Sequence, residues 1–102
     1  MILIYEDPVT PAKALTLIDE LKVEANEVMF AVKKFGGKFM KRRDRINTLI
    51  QRFCTNCTLN AKLEADAAVK AEWKKAAKLG VTLGQSLKDA REIVTSLTDY
   101  IS

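Results

Sequence analysis

Ten apolar or small residues, Val69, Trp73, Ala76, Gly80, Leu83, Leu87, Ala90, Val94, Leu97 and Ile101, recur at spacings of 4, 3, 4, 3, 4, 3, 4, 3 and 4. A seam on that rhythm keeps to one face of an α-helix, so it commits the last third of the chain to a long helix with one apolar edge. Two independent helices would not need to share a register across Gly80 to Gly84. One helix is therefore expected from about Ala61 to Ile101. Thr82 with Gln85 three residues later also fits a capping box, which would instead break the helix near Val81. Ala76, Gly80 and Gly84 fall at four-residue spacing. Glycine inside a helix costs about 1 kcal/mol relative to alanine, so this face points to a closely approaching backbone.

A second seam begins after the two prolines. Thr10 followed by Pro11 is an N-cap followed by a proline that the first helical position accepts. From there Ala14, Ile18, Leu21, Ala25, Val28, Val32 and Phe35 hold one face until Gly36 and Gly37 stop the helix. Phe39, Ile46, Leu49, Ile50 and Phe53 mark a shorter amphipathic helix. It is expected to end within Cys54 to Asn60, where Thr55, Asn56, Thr58 and Asn60 compete with the backbone for hydrogen bonds. The expected fold is all-α over a single helical domain, residues 1–102. It is a long antiparallel helical hairpin or a three-helix bundle, with a basic middle helix and a short extended N-terminal segment, Ile2 to Tyr5.

Lengths carry a further expectation. A helix of about 41 residues spans roughly 60 Å, whereas the first helix spans about 37 Å. Either the middle helix covers the remaining seam or a second copy does, and a homo-oligomer is expected. The N-terminal segment either lies over the helices or reaches a neighbour. No run of about 20 apolar residues occurs and the N-terminus lacks signal-peptide character, so a cytoplasmic protein without a membrane span is expected. The chain has no histidine, which removes the commonest general base and the commonest zinc ligand. Scattered carboxylates such as Glu64, Asp66 and Glu72 form no recognisable pair. No catalytic residue and no cofactor is assigned, and a non-enzymatic role is expected.

Charge placement is the sharpest functional signal. The net charge is +4, yet residues 33 to 52 contain eight cations, Lys33, Lys34, Lys38, Lys41, Arg42, Arg43, Arg45 and Arg52, against the single acid Asp44, or +7. The remaining nine cations meet twelve acids, leaving −3, so the positive end of the protein lies midway along the chain. Lys38, Lys41, Arg42, Arg43 and Arg45 fall in the first turns of a helix, against its dipole, where an anion would be welcome. With Lys34 and with Phe39 as a stacking or wedge residue, they are expected to engage an anionic partner. Nucleic acid or another phosphate-bearing ligand comes first, and an acidic protein surface second. The alternative is a small inhibitor or adaptor of the phage type, docking on a host protein through apolar residues of the exposed seam.

Cys54 and Cys57 form a C-x-x-C pair. A redox dithiol needs a strand-and-helix context that this pattern lacks, and zinc needs four ligands, so a metal site would require two chains meeting at their tips. That arrangement resembles the zinc hook of coiled-coil tips in chromosome-maintenance ATPases, without its proline. The other reading is a pair of small buried apolar residues.

The stretch Leu17, Ile18, Asp19, Glu20, Leu21, Lys22 resembles a segment of phage proteins that sequester the cyclic nucleotide signals of bacterial antiviral defence. Trp73, Ala77, Lys78, Val81 and Gly84 are spaced similarly to the second helix of that family's hairpin. The resemblance implies a small helical oligomer without enzymatic activity and makes Lys22 a phosphate contact. Asp7 stands where the family has a tyrosine, and the connection between the two fragments is longer here.

Overall fold

The computed structural model describes the backbone of residues 5–101 and the side chains of residues 5–88, and among these every regular element is helical. Helix α1 is Pro11–Phe35, a 3-10 turn spans Gly36–Phe39, α2 is Met40–Leu63 and α3 is Ala67–Ile101. The start of α1 follows from Thr10, whose extended backbone lets its hydroxyl accept the Lys13 N–H at 3.2 Å, with Pro11 at the first position. Its end follows from Gly36, which takes φ 74° and donates its N–H to the Val32 carbonyl. That backbone conformation suits glycine and strains residues with a Cβ.

Helix α2 is longer than the sequence predicts and reaches Leu63. The Thr and Asn residues that should end it are absorbed instead. Thr55 donates to the Gln51 carbonyl at 3.0 Å, Asn60 donates to the Asn56 carbonyl at 2.9 Å, and Asn56 donates to the Pro8 carbonyl at 3.0 Å. Bonds back to the preceding turn or outward to another segment leave the helical ladder intact. The expected start of the long helix at Ala61 is likewise corrected to Ala67. Asp66 accepts the Ala68 and Val69 N–H groups at 2.8 and 3.2 Å, an N-cap that begins a new helix after the turn at Glu64 to Asp66.

The break considered near Val81 does not occur, because α3 runs on through Gly80 and Gly84 and the Thr82 hydroxyl donates to the Lys78 carbonyl. The packing of α3 on α2 requires glycine at position 80 but not at 84. A Cβ placed on Gly80 would stand 2.7 Å from Cys54 Sγ and 2.9 Å from Phe53 Cδ1, whereas one on Gly84 would sit at an ordinary 3.5 Å from Ile50 Cγ2. The meeting points run in opposite order along the two chains: Arg43 with Leu87, Ile50 with Gly84, Phe53 with Gly80, Cys54 with Ala77. The antiparallel partner of the long helix is thus α2, not α1.

Helix α1 completes the core as a third helix. Its seam of Ala14, Leu17, Ile18, Leu21, Ala25, Val28 and Val32 joins Ile46, Ile50, Phe53 and Cys57 of α2 and Trp73, Ala76, Leu83 and Leu87 of α3 in one buried cluster. The middle helix therefore covers the seam of α3 as far as Leu87. The continuation of that seam, Ala90 to Ile101, lies outside the residues whose side chains are described, as do Ile2 to Ile4 of the N-terminal segment. The longest dimension, 54 Å, matches the roughly 52 Å expected of a 35-residue helix. The described start of the chain lies on α2, with Tyr5 packed on the core and the Arg52 guanidinium 4.9 Å from its ring centroid. No helix among the described residues is long and apolar enough to cross a membrane.

The two glycines of α3 should respond oppositely to alanine. Gly80→Ala forces a methyl against the fully buried Phe53 ring and should destabilise the protein by about 1–3 kcal/mol. Gly84→Ala finds room, and the gain in helix propensity should leave the protein equally stable or up to about 1 kcal/mol more stable. Thermal melting followed by circular dichroism separates the two.

Candidate functional site

Assembly of the helices sorts the eight central cations into two sets. Arg43 is buried, with only 3% of its surface exposed; its Nε donates to the Leu87 carbonyl at 3.2 Å and its Nη1 pairs with the Asp44 carboxylate. It falls three residues before Ile46 and so on the inward face of α2, which withdraws it from the expected set of partner contacts. Arg42 reaches across to α1, 3.1 Å from Glu24 and 3.6 Å from Glu27. Arg52 forks onto Asp7 with both donors at 3.0 Å, tying the N-terminal segment to α2.

Lys33, Lys34, Lys38, Lys41 and Arg45 make up the other set. All five are exposed, and none has a carboxylate within ion-pair distance among the described residues. They come from the last turn of α1, the Gly36–Phe39 turn and the first turns of α2, and therefore surround one end of the α1–α2 pair. The first turn of α2 carries no acidic residue, so the positive end of that helix's dipole is not offset there.

Aromatic groups stand among these cations, though not as the sequence predicts. Phe39 is partly buried against the core, with its ring centroid 5.7 Å from that of Phe35 at an interplanar angle of 48°. It serves as a foot for Phe35 and is not a free wedge. The exposed rings are Phe30 and Phe35, 64% and 58% accessible, and the Lys34 ammonium lies 5.7 and 5.4 Å from their centroids. Phe35 is counted with the seam in the sequence, but it is the last residue of α1 and the chain turns away beneath it. Phe30, counted with Met29 in the sequence as widening the seam, lies two residues past Val28, about half a turn from the buried face, and is exposed.

Lys22 is exposed on α1, roughly 18 Å along the helix from Lys34, and the fold does not bring it to the turn. The cysteine pair lies within α2, away from any tip. Cys57 is fully buried, and burial together with the neighbouring Cys54 pushes its thiol up to about 12. Cys54 is half-buried against the Ala77 carbonyl, and burial raises its thiol as well. A residue sealed against α3 cannot ligate a metal shared with a second chain, so the inter-chain zinc site at Cys54 and Cys57 is withdrawn. Among the described residues there is no group of three or more metal-ligating side chains.

Comparison with protein-family models, with curated proteins and with solved structures finds no match to this chain.

The two sets of cations should separate in a stability assay. Arg43→Gln removes a buried bond to a charged donor and should cost about 1–3 kcal/mol of stability, whereas Arg45→Gln should leave the melting temperature unchanged. The Asp7–Arg52 fork predicts a pH effect. The guanidinium holds the Asp7 carboxyl below the usual carboxylate range, so this tie is complete above that range and is lost as pH falls through the lowered value. Carboxyl carbon resonances should show a depressed Asp7 midpoint that Arg52→Gln returns toward normal.

Proposed function

We infer that the chain is a non-enzymatic helical binding protein whose α1–α2 turn engages a polyanion, with nucleic acid the foremost candidate. One observation carries this reading: Lys33, Lys34, Lys38, Lys41 and Arg45 crowd around a single turn without intramolecular carboxylate partners among the described residues. Like charges gathered at one end repel one another, and an external anion relieves that repulsion while releasing its own counterions. The start of α2 reinforces the preference, because the positive end of its dipole carries no acidic residue. The binding set is narrower than composition implies, since Arg42, Arg43 and Arg52 are already engaged within the chain.

Adaptor or inhibitor function toward another protein is the second reading, and it draws on Leu59 and Leu63. Both are exposed on α2, toward the end opposite the basic turn. In that case the affinity would reside in apolar contacts and would persist without the cations.

Titration of a labelled oligonucleotide at several salt concentrations tests the first reading. Five phosphate contacts predict a roughly 100- to 500-fold loss of affinity between 50 and 200 mM salt. Changing Lys33, Lys34, Lys38, Lys41 and Arg45 together to glutamine should abolish binding while leaving the helical spectrum intact. Retention of a protein partner by that variant with undiminished yield would favour the adaptor instead.

A further inference from the structure

The Phe30 and Phe35 rings narrow the kind of polyanion that fits the turn. Each is more than half exposed, and the two flank one ammonium, with Lys34 Nζ 5.7 Å from the first centroid and 5.4 Å from the second. The fold fixes where both rings emerge. Phe30 projects from the outer side of α1, whose inner side is locked by the buried Val28 and Val32, and Phe35 leans on Phe39, which is packed on the core. Single exposed apolar residues are ordinary on protein surfaces, but two exposed rings bracketed by five cations without carboxylate partners among the described residues form a surface with flat apolar faces and phosphate donors together.

Partners use such a surface to different degrees. An acidic peptide would satisfy the cations and leave the rings bare. Double-stranded nucleic acid presents phosphates but keeps its base faces stacked inside the duplex. A single strand presents both, and base–aromatic stacking tolerates any sequence because every base has a π-face. An anionic bilayer takes up a broad apolar helix face, whereas the large apolar side chains exposed at this turn are the two rings, Phe30 and Phe35, standing among cations.

Resting on the polyanion reading, we propose that the turn binds single-stranded nucleic acid. Unpaired bases stack on Phe30 and Phe35, Lys34 moves from the rings to a phosphate, and Lys38, Lys41 and Arg45 follow the backbone onto α2. Lys41 and Arg45 are one helical turn apart, about 6 Å between their Cβ atoms, which suits successive contacts along one strand.

The test compares the full chain with a Phe30→Ala/Phe35→Ala double variant by fluorescence anisotropy in about 50 mM salt. The probes are a labelled twelve-residue thymidine strand, an abasic strand of equal charge, and vesicles containing phosphatidylglycerol. The full chain should bind the thymidine strand roughly 10- to 100-fold more tightly than the abasic strand, and the double variant should lose that gap while keeping its weaker, salt-dependent binding to both. Replacing both positions with tryptophan should restore the gap, which separates ring stacking from damage to the fold. Equal, salt-dependent affinity of the full chain for both strands would overturn the single-strand proposal and leave the polyanion reading standing. Failure to bind either strand would overturn both. So would ring-dependent binding to vesicles alone, which would assign the rings to a lipid surface.

Discussion

The contact on which the rest of the structure depends is the seating of Gly80 on Phe53 and Cys54. Gly80 contributes no side chain there, and the Phe53 and Cys54 side chains lie so close to its backbone that even a methyl group would collide with them. Such a contact sets register, because sliding α3 by one residue would drive Leu79 or Val81 into the space that only hydrogen fills. From that register follow the meeting of Gly84 with Ile50 and, two turns from Gly80, the arrival of the Leu87 carbonyl at Arg43.

The same register sorts the charges. Arg43 gives its guanidinium to a backbone carbonyl and to Asp44, and its burial is tolerable because these partners compensate the lost hydration. Arg42, one residue earlier, points toward α1 and meets Glu24 and Glu27. Lys41 and Arg45 lie on the remaining side of α2 and stay in water. Neighbours in sequence thus acquire structural or solvent-facing roles from which helix, if any, each face of α2 meets, and the excess positive charge is concentrated around the Gly36–Phe39 turn.

Much of the scaffold was legible because its signals are local. Thr10 with Pro11 and the glycine at position 36 bound α1 as expected, and the unbroken 4–3 rhythm carried α3 through Gly80 despite a capping-box pattern at Thr82. The junction of α2 and α3 was not read correctly. Thr55, Asn56 and Asn60 spend hydrogen bonds on the preceding turn or on Pro8, and this choice depends on neighbours that propensity does not include. Asp66 before an apolar run was an available cap signal that the continuous rhythm of the seam obscured. The site was half legible. A basic cluster could be counted, but Arg43 had to be placed against α3 to be removed from it, and Phe39 against the core to exchange roles with Phe35 and Phe30.

The sequence by itself determined three things about this protein: its helical class, the limits of α1, and the concentration of positive charge midway along the chain. Periodicity, capping and composition are properties of residues close together in the chain. Tertiary structure alone decided which helix pairs with the long one, which cations are consumed within the molecule, and which aromatic rings face water. Those outcomes depend on distances between residues far apart in sequence, set here by how closely α2 and α3 can approach at Gly80.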